Sequence, residues 1–290
     1  MTAKQEARPK TAVVEQVGRG PRVSAADPSS TARKTVEILE ALANSSGSLA
    51  LNELARHLHS SRSSVVRIIS SLEKAGLIRR DAETRRLSLT FRLLALGSAA
   101  LDQLPWYSLC KPHVNALSKD VGEIGHLAVL DGPDIIYLAK SEPTDPAPFV
   151  AHVGGRASAY CTALGKVLLA AKSKSDLESH MQRYPLVART SRTITDAQAM
   201  NRELDLVRRR GFAIDNEENR DGVKCVAAPI VDYRGMTVAA ISIAVPAYRL
   251  PDRAIPPMAV KVRDAAAQAS RDLGSRLPMS SPAVKSRHAS

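Results

Sequence analysis

The feature that most constrains the fold is a helical segment at residues 61–75, which follows a cluster of serines and stops at Gly76. Its apolar residues recur at the i, i+3, i+4 and i+7 spacing of a single helix face, namely Val65, Ile68, Ile69 and Leu72. Glycine after the last periodic residue is a common helix stop, because it adopts the left-handed conformation there without steric cost. The segment is therefore predicted to be a helix with one buried face and one polar face.

A first helix and a second, short helix are predicted before this segment, and two strands after it. Ser30 or Thr31 can cap the first helix, whose apolar stripe is Val36, Leu39 and Leu42, widened by Ile38 and Ala43. The second helix covers 52–58, and its apolar residues are Leu51, Leu54, Ala55 and Leu58. Two strands are predicted at 77–78 and 85–89, joined by a turn at 81–84. Three helices followed by a basic hairpin predict a winged helix-turn-helix, mainly α, over 30–92.

The polar face of the 61–75 helix and the hairpin carry the side chains expected to contact DNA. Arg62 can pair with a guanine edge, and the short serines allow the helix to approach base edges closely. The hairpin arginines suit backbone phosphates or the minor groove. The alternative is that the serines are only caps and the arginines only a solvated face. The predicted DNA-binding residues are Ser61, Arg62, Ser63, Ser64, Arg67, Arg79, Arg80, Arg85 and Arg86.

The basic charge of the chain is concentrated around this module. Of the formal net charge of +12, residues 31–97 hold 11 Lys+Arg against 6 Asp+Glu, whereas residues 98–274 hold 22 against 20. A compact basic module beside a nearly neutral domain is typical of proteins that neutralise nucleic-acid phosphates. An aromatic content of 3% disfavours a protein that binds single strands by base stacking.

The chain after the hairpin is predicted to form a linker helix at 93–105 and an α+β domain at 106–274. The apolar linker helix fits either a dimer contact or packing against the first helix of its own module. Helices are predicted at 109–121, 163–172, 176–181, 196–210 and 258–273, and strands at 126–130, 135–139, 212–216, 223–230 and 237–245. Antiparallel strands with helices on one side predict a domain that encloses a ligand pocket. The Pro- and Ser-containing ends, 1–29 and 275–290, are predicted to be disordered tails.

Several classes of protein are disfavoured by what the sequence lacks. No apolar run approaches the roughly 20 residues that span a bilayer, and residues 1–10 do not resemble a signal peptide, so a cytoplasmic location is expected. The three cysteines form no CxxC pair, and the seven histidines lack metal-binding spacing. Gly165–Lys166 does not stand in the GxxxxGK[ST] context of a P-loop. No cofactor and no metal are predicted.

Three ordered stretches resemble the IclR family of transcriptional regulators. The first is LNELARHLHSSRSSVVRIISSLEKAGLIRR at 51–80, which continues into LSLTFRLLALG at 87–97. The second is VGGRASAYCTALGKVLLA at 153–170, similar to that family's VGxRxPLHxTAxGKAxLA pattern but with Ala159 and Tyr160 in place of Leu and His. The third is RRRGFAIDNEENRDGVKCVAAPIVDYRGMTVAAISIAVP at 208–246, which has the family's order of Gly, Asp, Glu, Gly, Cys, Ala-Ala-Pro and Gly.

The resemblance implies a sequence-specific regulator with a GAF-like effector-binding domain. Its partners would be double-stranded operator DNA, a small organic effector such as a carboxylate or aromatic acid, and further copies of the chain in a dimer or a dimer of dimers. Both repression and activation remain open. The effector-binding residues implied by position are Thr162, Ala163, Asp215, Cys225 and Ser242, and His126 is a further candidate.

The chemistry of these residues suits a small acid, although each has a simpler explanation. The hydroxyls of Ser242 and Thr162 can donate to a carboxylate, and Cys225 offers a small polarisable wall. The simpler explanations are packing for Cys225, strand hydrogen bonding for Ser242 and a turn cap for Asp215.

Two other functions are alternatives. A cysteine-dependent hydrolase would combine Cys161 or Cys225 with His126 or His152 and with Asp215. No GxSxG elbow or cysteine-protease signature accompanies these residues, so the chain is predicted not to be an enzyme. An architectural DNA binder without an effector is disfavoured because the large neutral second domain would then have no role.

Overall fold

The computed structural model describes residues 30–45, 47–143 and 151–276. The described chain forms two compact units, which are divided between Gly97 and Ser98. The predicted tails, 1–29 and all but the first two residues of 275–290, lie outside the described residues.

The first unit contains three helices followed by an antiparallel hairpin. These elements are α1 (Ser30–Ala43), α2 (Leu51–His57), α3 (Arg62–Lys74), β1 (Ile78–Arg80) and β2 (Leu87–Leu89), and α4 (Arg92–Asp102) follows them. The predicted face of α3 lies in the core, where it joins Ile38, Leu54, Ile78 and Leu87. Gly76 has a φ of +67°, so it ends α3 in the left-handed conformation that the sequence predicts.

Two details of this unit differ from the sequence prediction. The first helix buries Ile38 and Leu42, whereas Val36 is 52% exposed. A spacing of three residues rotates by about 60° at each step in a helix of 3.6 residues per turn, so Val36 leaves the buried face. Strand β2 begins at Leu87 and not at residue 85, because Arg85 has a φ of +56° and cannot continue an extended strand.

The second unit is an α+β domain built on one six-stranded sheet. Its helices are α5 (Tyr107–Val121), α6 (Ala163–Ala170), α7 (Lys174–Arg183), α8 (Ala197–Arg210) and α9 (Ile255–Asp272). Its strands are β3 (Ile124–Asp131), β4 (Asp134–Ser141), β5 (Arg156–Ser158), β6 (Ala213–Asn216), β7 (Val223–Val231) and β8 (Thr237–Pro246). The strand order is β5-β4-β3-β8-β7-β6, and every neighbouring pair is antiparallel.

Helices cover both faces of this sheet, and the prediction of helices on one side is wrong. Helices α5 and α9 pack on one face, whereas α6 and α8 pack on the other. Strand β8 is buried at nine of its ten positions, so its apolar residues do not alternate with polar ones. A strand without that alternation has both faces in the interior of the domain.

Two features near the start of α6 escaped the sequence prediction. Strand β5 is only three residues long, which is too short to show a periodic pattern. Gly165 lies in the first turn of α6, and a Cβ there would collide with the backbone carbonyl of Ala159. The glycine therefore allows α6 to pack directly on the turn that precedes it.

Candidate functional site

The N-terminal turn of α3 presents the polar surface predicted to recognise DNA. Ser61 caps the helix, since its Oγ accepts a hydrogen bond from the backbone N–H of Ser64 at 3.4 Å. Arg62, Ser63 and Arg67 are exposed, on the side of α3 that is not packed in the core. The remaining N–H groups of this turn and the positive end of the helix dipole favour an anionic partner here.

Two of the hairpin arginines are bonded within the unit. Arg80 donates from Nε to Oε1 of Glu73 at 2.9 Å, which ties β1 to α3. Arg86 donates to the backbone carbonyl of Ser48 at 2.8 Å and to Oε2 of Glu53 at 3.2 Å, which ties the hairpin to the start of α2. These guanidinium groups hold the hairpin in place, and their contact with DNA stays a prediction.

The other two hairpin arginines, Arg79 and Arg85, form no ion pair within the described part of the chain. Arg79 is exposed, and its Nε donates to Oγ of Ser88 at 3.2 Å. Arg85 stands in the turn between the strands, is exposed, and has no ion-pair partner within the described part of the chain. The turn itself is ordered by Asp81, whose Oδ1 accepts from the backbone N–H of Thr84 at 2.8 Å, and this bond lowers the pKa of Asp81. The side chain of Arg85 is therefore free to meet a phosphate.

The strand register of the second unit brings the predicted effector residues together. Asp215 pairs with Cys225, and Cys225 pairs with Ala244 on β8. Two residues before Ala244, Ser242 pairs with His126 on β3. Alternate residues of these strands belong to the cluster beneath α6 and α8, so the four polar residues share the face that α6 covers.

The start of α6 adjoins this polar area, and Thr162 caps it. The Oγ1 of Thr162 accepts from the N–H of Gly165 at 3.1 Å and donates to the carbonyl of Ser158 at 3.1 Å. These bonds fix the start of α6, and a contact of the Thr162 hydroxyl with an effector stays a prediction. Ala163 begins the helix and is buried. The N–H groups of Ala163 and Leu164, in the first turn of α6, remain as donors for a carboxylate.

The Asp215 carboxyl has the most strongly shifted pKa among the carboxyl groups of this area. It is 2% exposed, and its Oδ1 accepts from the backbone N–H groups of Glu218 at 2.7 Å and Asn219 at 3.3 Å. It thus caps a turn, as the simpler explanation holds. Burial raises the pKa of Asp215 to about 7, against the lowering effect of these hydrogen bonds and of Lys166. Near neutral pH a large fraction of the carboxyl is protonated and can act as a donor.

Lys166 is a charged residue of this area that the sequence prediction missed. It is 1% exposed, and its Nζ lies 2.6 Å from Oε1 of Glu218 and 3.5 Å from Oε1 of Glu203. Glu203 in turn bonds Arg210 at 2.8 Å. A lysine inside the otherwise apolar segment ALGKVLLA is the signal that could have revealed it. The network ties α6 to α8 and to the turn that Asp215 caps.

His126 differs from the other histidines considered for the site. It is 4% exposed, and its Nε2 has no hydrogen-bond partner among the described residues. Its ring centroid lies 5.0 Å from that of Tyr137. Burial, and less strongly the charge of Lys140, lowers the pKa of His126 to about 3, so the imidazole is neutral near pH 7. His152, in contrast, is exposed.

Comparisons with known families match both units of the chain. A family model described as the IclR helix-turn-helix domain matches residues 31–82, and a second, described as bacterial transcriptional regulator IclR C-terminal, matches residues 98–271. The second match alone spans more than half of the 290 residues.

The chain belongs to the IclR family of bacterial transcriptional regulators.

Individual relatives of this IclR-family regulator cover most of its length. The HTH-type transcriptional regulator KdgR of Escherichia coli is 30% identical over 86% of this chain and 94% of its own. BhcR of Paracoccus denitrificans is 31% identical over 83% of this chain and 84% of its own. The crystal structure of the Thermotoga maritima IclR has a TM-score of 0.71 and 31% identity, and it covers 84% of this chain and 98% of its own.

The family confirms the predicted fold class and function. The chain is a DNA-binding transcriptional regulator, with a winged helix-turn-helix followed by an α+β effector-binding domain of GAF-like character. The relatives matched are transcriptional regulators, and nothing in the comparisons supports the hydrolase alternative. A crystal structure of an IclR homolog complexed with 4-hydroxybenzoate, from Microbacterium hydrocarbonoxydans, shares the fold with a TM-score of 0.74 at 23% identity over 84% of this chain and 99% of its own.

The cysteines of the regulator are poorly suited to nucleophilic chemistry. Burial raises the pKa of the Cys110 and Cys161 thiols to about 12 and that of Cys225 well above its ordinary value. The thiolate is the reactive form of cysteine, and it is scarce at such pKa values. Over residues 30–45, 47–143 and 151–276, no cluster of three or more acidic, His or Cys side chains is arranged to hold a metal ion. Nor does any helix in these ranges have the length and apolar character to cross a membrane.

Proposed function

We propose that this IclR-family regulator binds a pseudo-palindromic operator as a dimer or a dimer of dimers, and that a carboxylic acid bound in the second unit changes its affinity for that operator. The observation that carries the proposal is the polar area formed by Asp215, Cys225, Ser242 and His126 beside the start of α6. A ligand there can only shift the protein between DNA-competent and DNA-incompetent states by its difference in affinity for them.

The side chains proposed to contact DNA fall into two groups, those on α3 and those on the hairpin. Arg62, Ser63 and Arg67 on α3, with Ser61 and Ser64 as the capping pair, face the major groove. Arg79 and Arg85 are available for phosphates. Two such helices in a dimer would enter successive major grooves about 34 Å apart. The predicted linker at 93–105 supports the dimer, since Leu94 and Leu96 of α4 are 66% and 56% exposed and a second copy would bury them.

The effector is proposed to be an acid because the polar area offers several hydrogen-bond donors to a carboxylate. The N–H groups of Ala163 and Leu164, the Ser242 hydroxyl and protonated Asp215 can all donate to a carboxylate. Cys225 and Ala163 supply small walls on either side. The complex of a homologous fold with 4-hydroxybenzoate, an aromatic acid, makes ring-containing acids a reasonable class to test.

Two further statements complete the proposal. The regulator is proposed not to be an enzyme, because burial keeps the thiols of Cys161 and Cys225 in the neutral form. It acts in the cytoplasm, because a bacterial regulator works where the chromosome is. The folded core is proposed to be divided at 30–92, 93–105 and 106–274, with the division between the two compact units, at Gly97 and Ser98, falling inside the linker.

The proposal can be tested by selecting DNA with the purified protein. Genomic fragments bound by the full-length chain are sequenced, and their shared site is then titrated by fluorescence anisotropy with and without a panel of aliphatic and aromatic acids. We expect a pseudo-palindrome with half-sites one helical turn apart, and an operator affinity that at least one acid changes. Failure to enrich any sequence over random fragments would overturn the DNA part of the proposal.

Matched variants separate the two sites. Arg62→Ala is expected to relax the base preference at the operator without altering the response to the acid. Ser242→Ala is expected to weaken acid binding about tenfold, since one hydrogen bond to a charged group is lost, while affinity for free operator is retained. Unchanged acid affinity in both Ser242→Ala and Asp215→Asn would refute the effector site.

A further inference from the structure

The segment between α7 and α8, residues 184–196, is bonded to both turns beside the proposed carboxylate site. At the turn before α6, the Tyr160 hydroxyl donates to the backbone carbonyl of Val187 at 2.7 Å. At the turn after β6, the carbonyl of Glu217 accepts from the hydroxyl of Thr190 at 2.7 Å. These bonds hold the segment against the site, so a charged side chain on it can act on a bound ligand.

Arg189 lies in this segment and reaches the turn before α6. Its Nη2 donates to Oγ of Ser158 at 2.9 Å, and the carbonyl of Ser158 accepts from the hydroxyl of Thr162, the cap of α6. Burial raises the pKa of the Cys161 thiol, Asp215 raises it further, and the positive charge of Arg189 opposes both. Cys161 is therefore within electrostatic reach of Arg189 and of Asp215, which places the guanidinium beside the start of α6.

Arg189 also differs from its cationic neighbours in having no carboxylate partner. Lys166 is neutralised by Glu218, and Arg192, in the same segment, has its Nη2 3.5 Å from Oε1 of Glu217. No carboxylate among the residues that the structure describes lies within ion-pair distance of the Arg189 guanidinium. Arg189 is exposed, so an incoming ligand can reach it. A guanidinium presents five N–H donors, of which the bond to the serine uses one.

A carboxylate that leaves water for this site needs such a counter-charge. The donors proposed for it, which are backbone N–H groups, the Ser242 hydroxyl and the protonated Asp215 carboxyl, carry no charge. An ionised carboxylate surrounded by neutral groups costs much more free energy to desolvate than one that is paired with a cation. Because Lys166 is already paired, Arg189 is the better placed source of positive charge.

We infer that Arg189 supplies the counter-charge for the effector carboxylate, and that this arginine makes the second unit select acids over their uncharged analogues. The bond to Ser158 holds the guanidinium in place beforehand, so little side-chain freedom is lost when the acid binds. The inference rests on the proposed carboxylate site and adds the residue that recognises its charge.

The test compares acids with their amides, which have nearly the same shape but no charge. The pairs are benzoate and benzamide, 4-hydroxybenzoate and 4-hydroxybenzamide, and hexanoate and hexanamide, each titrated calorimetrically into the full-length protein near neutral pH. We expect the wild type to bind the acid of at least one pair about tenfold or more above its amide, as a hydrogen bond to a charged group supplies.

Variants of Arg189 show whether this residue is responsible. Arg189→Gln keeps an N–H donor for Ser158 but removes the charge, so it is expected to weaken acid binding about tenfold or more and to leave amide binding unchanged. Arg189→Lys restores a positive charge and should recover most of the preference. Arg192→Gln makes the same change at an arginine that Glu217 already neutralises, and this control should keep the wild-type preference. Thermal unfolding of each variant confirms that it is folded.

The possible results are distinct. If an acid binds the wild type and Arg189→Gln equally tightly, or binds the wild type no better than its amide, the inference about Arg189 is overturned and the carboxylate site stands. If Arg189→Gln weakens acid and amide alike, the residue acts on the shape of the site and not on charge, and the inference is equally overturned. If none of the three acids binds the wild type, the proposed carboxylate site fails, and the inference fails with it.

Discussion

Replacing Asp215 with asparagine should make the stability of this regulator less dependent on pH. Burial raises the pKa of the Asp215 carboxyl from 3.8 to about 7. A group whose pKa is higher in the folded than in the unfolded protein stabilises the fold at low pH, and that contribution is lost as the pH rises toward the folded-state pKa. The relevant window therefore runs from about pH 4 to about pH 7.

The size of the effect follows from the two pKa values. One unit corresponds to about 1.4 kcal/mol, and about two units separate pH 5 from the folded-state pKa, so the wild type loses about 2–3 kcal/mol of unfolding free energy from this group between pH 5 and pH 8. Asparagine does not titrate, and it keeps an oxygen for the N–H groups of Glu218 and Asn219. The free energy of unfolding of Asp215→Asn, taken relative to that of the wild type, should thus be about 2–3 kcal/mol higher at pH 8 than at pH 5.

Urea unfolding of the full-length protein, followed by circular dichroism at both pH values, measures this difference. The control is Asp221→Asn, which makes the same chemical change at an exposed position of the same segment. We expect no comparable pH-dependent gain from the control. A stability difference for Asp215→Asn that is equal at pH 5 and pH 8 would show that the Asp215 carboxyl is not desolvated in the way the structure indicates.

Four further substitutions test other parts of the structure. Arg85→Ala should lower operator affinity without changing the unfolding midpoint, and it should reduce the slope of log affinity against log salt by about 1, as measured by anisotropy; an unchanged slope would rule out a phosphate contact. Arg86→Ala, by contrast, should lower the unfolding midpoint and operator affinity together, because its guanidinium bonds hold the hairpin to α2; a purely electrostatic effect on DNA would contradict this role. Arg62→Ala should reduce discrimination against a changed base in the half-site by about 1–3 kcal/mol in competition band shifts, and uniform weakening on all sequences would refute base recognition. Gly165→Ala should destabilise the protein by about 1–3 kcal/mol in urea unfolding, because its Cβ meets the Ala159 carbonyl, and wild-type stability would mean that α6 can move away.

Local patterns in the sequence predicted most of the elements. The spacing of Val65, Ile68, Ile69 and Leu72 and the glycine after them located α3 within one residue at each end. Such patterns depend only on residues a few positions apart, so the rules of helix periodicity and capping suffice. The same rules failed where a backbone conformation was special, as at Arg85, whose positive φ removed it from the predicted strand.

Features that depend on distant residues could not be predicted in this way. The burial of Lys166 requires Glu218 and Glu203, which lie 52 and 37 residues away in sequence. The double role of Asp215, as a turn cap and as a buried acid, becomes visible only when β6, β7 and the start of α6 are assembled. Likewise, no local pattern shows that Arg86 bonds Ser48 and so stabilises the hairpin.

The central claim is that the first unit of this chain binds operator DNA and that its second unit binds an acid. The most direct test is to measure operator affinity by anisotropy over a titration of the tightest-binding acid, for the wild type and for Ser242→Ala. We predict that both proteins bind free operator equally and that the acid concentration needed to change this affinity rises about tenfold in the variant. Identical titration curves for the two proteins, or an operator affinity that no acid alters, would contradict the account.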